Sequence, residues 1–385
     1  MNDTAGTSGV SVDASGVYRL GLQHAAGRTD IVVGEGLLER GVTTDLAKWL
    51  EGRTAFVLST PRLRELHGAA IAALGRGAAR VVDLEVPDGE AAKSLHHAGR
   101  LWDTMLDAGG KRDSRLVTFG GGTVGDLGGF VAGCFLRGIE YVQVPTTLLA
   151  QVDAAIGGKT AIDLAGGKNT VGLFHHPRQV IADTGLLATL PRPERRSGLA
   201  EVVKMALLLD PPLLERVEAS LEPLLAGDAA QLAPVVAGAA AAKCQVVESD
   251  PQEGDWRRIL NFGHTLAHAI EGALAYRHLR HGDAVAYGML FAVRLAERRG
   301  LEASFGERLG RLLARFELPP LPALDPEELW AFMGRDKKAT EGGLTWVLPR
   351  ALGRGEMVEG IGGEEVLREL VEFLRQPIPD ASVPG

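Results

Sequence analysis

The sequence predicts an α/β N-terminal domain with a mostly parallel sheet, followed by a mostly α-helical C-terminal domain. From Val17 to about Asp183, short β-rich runs such as TAFVLST and RLVTFG alternate with helical or glycine-rich stretches. This alternation is typical of α/β units. The later segments, such as LAEVVKMALLL, are long, rich in Ala and Leu, and periodic, which is typical of helices. The pattern changes between Leu187 and Pro193.

These patterns divide the chain into four predicted segments. Residues 17–190 are expected to form the α/β domain and residues 191–376 the helical domain. Residues 1–16 and 377–385 are small, polar or proline-bearing and lack hydrophobic periodicity, so we expect two frayed tails.

Composition excludes several classes of function. A formal net charge of −8 over 385 residues gives no basic footprint for nucleic acid or an anionic membrane. The N-terminus lacks the basic and apolar parts of a signal peptide, and no apolar run reaches membrane-spanning length. The cysteines, Cys134 and Cys244, are far apart, which argues against a disulfide framework. We expect a cytoplasmic protein with a small-molecule ligand and no nucleic-acid or membrane partner.

A glycine cluster follows an apolar strand in RLVTFGGGTVGDLGG. Gly120, Gly122 and Gly125 satisfy the G-x-G-x-x-G pattern, whose backbone amides can cradle a pyrophosphate. Glycine turns also serve plain close packing. The next strand, YVQVPTT, ends in hydroxyl residues where the usual ribose-binding acid would stand. A bound dinucleotide would therefore not sit in the standard Rossmann manner.

Two further segments carry polar side chains in a setting that suits ligands. Four polar residues lie close together among glycines and hydroxyl residues: Asp153, Lys159, Lys168 and Asn169. Such a set can bind a phosphate or the oxygens of a polyol. The alternative interpretation is a solvated loop with ordinary surface side chains. In the helical half the candidates are Glu201 and Lys204 on an apolar helix, His281, and a predicted polar stripe of Arg257, Asn261, His264 and His268. His264 and His268 are spaced i, i+4 and could reach a common metal, or could be a packed helix face. Lys337 and Lys338 by themselves look like surface charge.

The segments GGGTVGDLGGF, LRGIEYVQVPTTLLAQVDAAIGGKTAIDLAGGKN, GLAEVVK, RRILNFGHTLAHAIE, HGDAVAYGM and DKK closely resemble the 3-dehydroquinate synthases. The resemblance extends from about Val17 to Gly360 in the same order. It implies an N-terminal NAD-binding domain, a C-terminal metal-binding domain and an active site in the cleft between them.

The resemblance assigns the metal ligands to Glu201, His264 and His281, and places His268 on the phosphate side instead. One carboxylate and two imidazoles suit zinc, with cobalt as the alternative. Asp153 and Lys204, with the metal, are expected to handle the proton of a substrate hydroxyl, and His281, Asn261 and His268 complete the expected catalytic set.

The resemblance also implies two binding sets. The expected NAD contacts are Glu90, Lys93, Gly121, Gly122, Asp126, Thr146, Thr147, Lys168, Thr189 and Leu190. The expected substrate contacts are Arg137, Lys159, Asn169, Lys243, Arg257 and one of Lys337 and Lys338. Ser59 and Thr60 stand where the family commonly offers Asp and Asn to the adenosine ribose, which puts those ribose contacts in doubt. Arg137 resembles an arginine supplied across a dimer interface, so a homodimer is expected by analogy.

Arg257 and Lys243 match the residues that bind the substrate carboxylate in this family, which favours a phosphorylated sugar acid. The expected reaction converts 3-deoxy-D-arabino-heptulosonate 7-phosphate to 3-dehydroquinate and phosphate, in the shikimate pathway of aromatic amino acid biosynthesis. Three alternatives stay open at this point: an aminodehydroquinate synthase of an antibiotic pathway, a sedoheptulose 7-phosphate cyclase and, more remotely, a metal-dependent alcohol dehydrogenase. A catalytically inactive binding protein is a further class.

Overall fold

The computed structural model describes residues 9–39, 43–251, 254, 256–335 and 344–378. The predicted phosphate contacts Lys337 and Lys338 lie outside these residues. By the clustering of its contacts the chain divides into two compact units, the first made of Met1–Arg195 and Glu222–Pro251 and the second of Arg196–Leu221 and Gln252–Gly385.

The first unit is built on an eight-stranded sheet. Its strands and one separate hairpin, β8–β9, are β1 (Ser11–Val12), β2 (Tyr18–His24), β3 (Gly27–Gly34), β4 (Thr54–Ser59), β5 (Arg80–Glu85), β6 (Arg115–Gly120), β7 (Tyr141–Pro145), β8 (Lys159–Leu164), β9 (Gly167–Phe174) and β10 (Gln179–Asp183). The order across the sheet is β1-β2-β3-β10-β7-β6-β4-β5. Every pair from β3 to β5 is parallel, and β1-β2 and β2-β3 are antiparallel. The predicted mostly parallel sheet is confirmed.

Helices cover both faces of this sheet because its central strands are apolar on both sides. On β4, Ala55 and Val57 join a core with α1 (Thr43–Leu50) and α2 (Pro61–Leu74). On the other face, Phe56 and Leu58 join a core with α3 (Leu95–Asp107) and α4 (Gly122–Cys134). All four side chains are buried, as expected for a parallel strand packed on two layers.

The rest of the chain is mainly helical, as predicted. Its elements are α5 (Arg192–Leu209), α6 (Pro211–Ala226), α7 (Ala229–Ser249), α8 (His264–Ala273), α9 (His281–Glu297), α10 (Ala303–Ala314), α11 (Pro326–Arg335), the hairpin β11 (Trp346–Ala351) with β12 (Arg354–Val358), and α12 (Gly363–Arg375). Within the second unit α8 packs on α9 and α11, and α9 also contacts α10, α12 and β11.

Two details of the predicted division differ in the structure. Helix α7 belongs to the first unit, where it packs on β2 and β3, and Glu248 accepts a hydrogen bond of 2.7 Å from the backbone amide of Gln23. The Ala-rich sequence of α7 allows this close approach to a sheet. The predicted frayed segment 1–16 is also wrong for Ser11–Val12, since β1 pairs with β2 there. The first eight residues lie outside the described part of the chain.

One helix among the described residues, α7, is long and apolar enough to cross a membrane by length and composition alone. Of its most apolar window, 72% is buried inside the structure. The core helix of a soluble protein passes the same test, so α7 is weak evidence for a membrane span.

Helix α9 passes unusually close to the turn that starts α8. A Cβ added to Gly288 would lie 1.9 Å from the carbonyl oxygen of Gly263, which itself has φ +78° and directly precedes His264. Both glycines are therefore required by the local packing. The contact sets the position of His264 relative to α9.

We expect Gly288→Ala to destabilise the protein by about 1–3 kcal/mol or more, because a methyl group cannot enter this contact without shifting backbone. Urea unfolding measures the effect. Gly334→Ala is the matched control: it also lies in a helix, and its added Cβ would meet nothing within 4 Å. Equal stability of the two variants would contradict the packing argument.

Candidate active site

Three side chains in the second unit converge on one buried point. Glu201 on α5 is fully buried, and its Oε1 lies 3.6 Å from His264 Nε2 and 3.4 Å from His281 Nε2. One ligand atom from each of the three residues lies within 4.8 Å of the other two. Two imidazoles and one carboxylate are the donor set of many catalytic zinc sites. The geometry therefore groups the residues that the resemblance named as metal ligands.

The free atoms of this cluster suit a cation. Neither carboxylate oxygen of Glu201 has a hydrogen-bond partner within the described part of the chain, although the Lys204 ammonium lies against Oε2. His264 Nδ1 contacts the carbonyl oxygen of Phe262 at 3.1 Å, which leaves Nε2 facing the cluster. Lys204 supplies a countercharge at Oε2, whereas Oε1, which faces both imidazoles, is left for a second cation. The residues present thus fit a divalent metal.

Electrostatics prepare two of the three ligands for that role. Burial alone would raise the pKa of Glu201, but Lys204, His264 and His281 outweigh it and hold that pKa well below its usual range. Burial, with the nearby Lys204 ammonium, lowers the pKa of His264 well below its ordinary value. Both groups are therefore in the protonation state that binds metal at neutral pH. In the third ligand, burial is outweighed by Glu201 and Glu271, which raise the pKa of His281 to about 10, so a metal must displace a proton from this imidazole.

Glu271 on α8 is a member of the site that sequence reasoning missed. It is buried, and its Oε1 lies 3.1 Å from His281 Nδ1, on the side of the ring away from Glu201. A carboxylate in this place fixes the orientation of a metal-binding histidine and raises its basicity. The available sequence signal was an acidic residue one helical turn after His268.

Glu271→Gln is expected to weaken zinc binding by about ten- to a hundredfold, because the carboxylate that orients His281 is lost. Competition with a chromogenic chelator measures this affinity directly. Glu297→Gln is the control. Glu297 also has a partly buried carboxyl group and lies in the same unit, but it does not belong to the metal-binding cluster. Unchanged zinc affinity in Glu271→Gln would contradict the orienting role.

The predicted polar stripe along a single helix is wrong. Residues Trp256–Asn261 form a 3-10 helix, and α8 begins only at His264, after Gly263 in the left-handed conformation. Asn261, His264 and His268 nevertheless line one small pocket with Thr345. Arg257 is buried, at 3% exposure, and does not line that pocket.

The two histidines of α8 have different surroundings. His264 belongs to the buried cluster, whereas His268 is exposed and its ring lies edge-on to His264, with centroids 5.4 Å apart. Of the three described histidines nearest this point, only His264 and His281 bring a nitrogen into the group with Glu201. The helical spacing alone left open a shared metal site for His264 and His268.

A second candidate site lies in the first unit, at the carboxyl ends of the parallel strands. A groove of about 180 Å³ runs past the glycine turn after β6 and the hydroxyl residues after β7. Five of the ten predicted cofactor contacts line it, namely Gly121, Thr146, Thr147, Thr189 and Leu190. The groove also contains Thr60, which stands at the ribose position that the resemblance left in doubt, and Arg62, His67 and Asp88, which were not predicted as site residues.

The glycine turn leaves room for a ligand next to the helix terminus. Gly121 is the N-cap of α4, and no described side chain caps this end of the helix. A Cβ on Gly121 would lie 3.0 Å from the Thr147 methyl group, so a larger residue would narrow the groove. Free backbone amides at a helix N-terminus attract phosphate groups. These residues fit the pyrophosphate of a dinucleotide.

Four other predicted cofactor contacts form a polar network beside the groove. Lys93 Nζ lies 2.8 Å from Asp126 Oδ2 and 3.8 Å from Glu90 Oε1, and Lys168 Nζ lies 3.7 Å from Glu90 Oε1. Lys93 also donates to Asn169 Oδ1, so this predicted substrate contact joins the same network. Burial raises the pKa of Asp126, and Lys93 partly offsets the shift. Gly122, the remaining contact, is the first residue of α4.

The remaining predicted residues of the first unit are Asp153, Lys159, Lys243 and Arg137. Lys243 on α7 is buried, and its Nζ lies 2.5 Å from both Oδ1 and the backbone oxygen of Asp153. Lys159 begins β8 and Arg137 ends a short 3-10 turn; both side chains are exposed. The direct pairing of Asp153 with Lys243 was not expected from their separation in sequence.

Comparison with solved structures identifies the class of protein. A 2-deoxy-scyllo-inosose synthase complexed with carbaglucose-6-phosphate, NAD⁺ and Co²⁺ matches with a TM-score of 0.82 and 26% identity, covering 93% of this chain and 99% of that one. The 2-epi-5-epi-valiolone synthase ValA from Streptomyces hygroscopicus subsp. jinggangensis 5008, with NAD⁺ and Zn²⁺ bound, matches with a TM-score of 0.81 and 29% identity, covering 90% and 97%. Fold and site together define a sugar phosphate cyclase.

Sequence comparison identifies the family within that class. The family model described as 3-dehydroquinate synthase N-terminal matches residues 83–197, and the C-terminal model matches residues 198–339. The 3-dehydroquinate synthase of Symbiobacterium thermophilum is 46% identical over 327 residues, covering 84% of this chain and 91% of the relative. The chain belongs to the 3-dehydroquinate synthase family, and it is an enzyme.

Proposed function

We propose that this enzyme converts 3-deoxy-D-arabino-heptulosonate 7-phosphate to 3-dehydroquinate and phosphate, with NAD and zinc as cofactors. The buried cluster of Glu201, His264 and His281 is the observation on which the proposal rests, because among the described residues these three offer a metal one carboxylate and two imidazole ligands. The identity of 46% to a relative named 3-dehydroquinate synthase, against 26% and 29% for cyclases with other names, supports this substrate over the alternatives.

Both cofactors supply chemistry that amino-acid side chains lack. When bound, NAD offers a transient hydride acceptor and the metal a Lewis acid that holds substrate oxygens, so no net oxidation of the substrate results. We assign the metal to Glu201, His264 and His281. We assign NAD to the groove with Gly121, Thr146 and Thr189 and to the adjoining network of Lys93, Asp126 and Glu90.

Proton handling is proposed for two lysine-carboxylate pairs. Lys204 lies against the buried Glu201 and can hold or release a proton at a substrate oxygen bound there. Asp153, whose carboxylate is fixed by Lys243, can accept a proton from a hydroxyl group. Elimination removes a proton from the carbon next to the one that carries the phosphate. The electron pair of that C–H bond forms a carbon–carbon double bond, and the phosphate leaves with the electron pair of its carbon–oxygen bond.

We propose that Lys159, Asn169, Asn261 and His268, with one of Lys337 and Lys338, bind the phosphate, and that Arg257 and Lys243 bind the carboxylate. The burial of Arg257 supports this role, because the charge of a guanidinium with little solvent around it is weakly screened. Bidentate geometry with a carboxylate is a specific property of arginine.

A homodimer is also proposed. Arg137 and the preceding Leu136 have positive φ angles of 68° and 50°, an uncommon conformation that costs free energy and holds Arg137 on an exposed turn. Leu164 and Phe174 on the β8–β9 hairpin are 48% and 52% exposed, which fits an apolar contact surface. We also propose a cytoplasmic location, in line with two free cysteines.

The test offers the zinc- and NAD-loaded protein three substrates: the heptulosonate 7-phosphate, its 4-amino analogue and sedoheptulose 7-phosphate. We expect phosphate release and a product with the mass of 3-dehydroquinate from the first, without accumulation of NADH. Turnover of sedoheptulose 7-phosphate alone would contradict the carboxylate assignment. Sustained NADH production from an alcohol would instead identify a dehydrogenase.

A further inference from the structure

Two consecutive residues of α5 hold the first turn of α9. The Arg196 guanidinium donates two parallel hydrogen bonds to Asp283, from Nε to Oδ1 at 2.7 Å and from Nη2 to Oδ2 at 3.1 Å. Ser197 Oγ accepts from the backbone amide of Gly282 at 2.9 Å. All four residues are buried. Because α9 begins at His281, both contacts fall directly after a residue of the metal-binding cluster.

The backbone of His281 is held on both sides. The residue before it is Arg280, whose backbone amide donates to Asp283 Oδ2 at 3.3 Å. The residue after it is Gly282, whose amide is the one bound by Ser197. These amides stand at the N-terminus of α9, where no backbone carbonyl of the same helix can accept from them. Side chains therefore fix the start of the helix.

The two helix backbones touch at this point. A Cβ added to Gly282 would lie 2.0 Å from the carbonyl oxygen of Ser197, so only glycine fits. Ser197 and Glu201 are four residues apart on α5 and lie on the same face of that helix. The face that contacts the start of α9 therefore also carries Glu201, whose Oε1 lies 3.4 Å from His281 Nε2.

The ion pair of Arg196 and Asp283 is suited to fixing a position. Arg196 is 7% exposed and Asp283 is fully buried, and Arg196 Nη1 donates to the carbonyl oxygen of Glu317 at 2.8 Å. A buried ion pair contributes little net stability, because the cost of removing both charges from water offsets their attraction. The planar fork of the guanidinium nevertheless fixes the direction of both hydrogen bonds. Geometry is thus the main contribution of this pair.

We propose that Arg196 and Ser197 are positioning residues for the metal, which they serve by fixing the backbone of His281. Both act through the first turn of α9, and neither is itself a ligand. Glu271 orients the imidazole ring, whereas Arg196 and Ser197 determine the place from which the ring extends. A metal-binding constellation needs its ligands held to within about 0.5 Å. The inference deepens the proposed function, since it rests on metal binding by this cluster.

Zinc affinity and stability, measured together on the full-length protein, distinguish positioning from a purely structural role. Metal-free protein is titrated with zinc against a chromogenic chelator, and urea unfolding is followed with and without zinc. Ser197→Ala and Arg196→Gln should each weaken zinc binding by about tenfold or more, because His281 is then less well placed. The stabilisation that zinc adds should shrink accordingly, since a ligand stabilises the state that it binds. A purely structural role would lower stability equally with and without zinc.

A conservative variant and a spectrum sharpen the test. Arg196→Lys keeps the charge but loses the planar fork, so its zinc affinity should lie between those of wild type and Arg196→Gln. Cobalt can replace zinc as a probe, because its visible absorption depends on coordination geometry. The spectrum of cobalt-saturated Ser197→Ala should differ from that of wild type. Ser197→Ala removes only one hydroxyl, so it keeps the test decisive if Arg196→Gln does not fold.

Arg308→Gln is the matched control. Arg308 also donates two hydrogen bonds to one carboxylate, that of Glu218, at 2.7 and 2.6 Å. This pair joins α10 to α6 within the same unit and involves neither α5 nor α9. The variant should lower stability but leave the zinc affinity and the cobalt spectrum unchanged.

The outcomes separate this inference from the proposed function. Zinc affinity equal to that of wild type in both Ser197→Ala and Arg196→Lys would overturn the positioning role and leave the proposed function standing. Wild-type protein that does not bind zinc would overturn both. A loss of zinc affinity in Arg308→Gln as large as in Ser197→Ala would also overturn the positioning role, since a general loss of stability would then explain the effect.

Discussion

Glu201→Gln is expected to abolish turnover and tight zinc binding together. Glu201 is the one anionic member of the three-residue cluster, so the variant leaves a metal with two neutral imidazoles and an amide. Loss of the Lewis acid removes several kcal/mol of transition-state stabilisation, or about a thousandfold or more in kcat. Zinc content after dialysis and phosphate release from the heptulosonate measure the two effects.

The same variant should also unfold more easily. Lys204 is 2% exposed and lies against Glu201, so Glu201→Gln leaves a buried ammonium without its countercharge. Removing one partner of a buried ion pair costs about 3–5 kcal/mol. A double variant with Leu at both positions removes the buried charge and should recover much of this stability, while zinc binding stays lost. Recovery of zinc binding in the double variant would show that Glu201 is not a ligand.

Arg257→Ala is expected to cut turnover of the heptulosonate by about a hundred- to a thousandfold, because it leaves a carboxylate unpaired in a site with little water. Arg257 is already 3% exposed in the protein alone, so its charge is screened weakly by solvent. NAD affinity should not change. Steady-state kinetics and titration with NAD distinguish the two effects.

The variant Arg257→Lys tests whether positive charge alone is sufficient at this position. It keeps the positive charge but loses the planar pair of donors, so its activity should lie between those of wild type and Arg257→Ala. Equal loss of NAD affinity in Arg257→Ala would show that the residue has another role. Full activity of Arg257→Lys would show that charge alone is sufficient.

The sequence by itself determined the class of fold, the family and most of the candidate residues. The strand TAFVLST has four successive apolar residues, which predicts burial on both faces and hence a parallel sheet under helices. The glycine turn at Gly121 follows from the same local reasoning, because a strand followed by glycines and a helix is a short-range pattern. Family resemblance then identified Glu201, His264 and His281 although they are far apart in sequence.

The tertiary structure decided how those residues are grouped. A helical spacing of four made His264 and His268 look equivalent, but Gly263 starts α8 with a left-handed residue, and the contact of Gly288 with it directs only His264 to Glu201. The 3-10 conformation of Trp256–Asn261 broke the predicted stripe. Local periodicity contains no information on either contact.

Contacts between residues far apart in sequence likewise decided which side chains pair in the candidate sites. Glu271 meets His281, Lys243 meets Asp153 and Thr60 meets Asp88 only because distant elements pack together. Helix α7 joins the first unit for the same reason, since an Ala-rich surface packs closely on a sheet or on helices alike. Sequence patterns specify which face of an element is apolar, whereas the choice of neighbour depends on the packing of the whole unit.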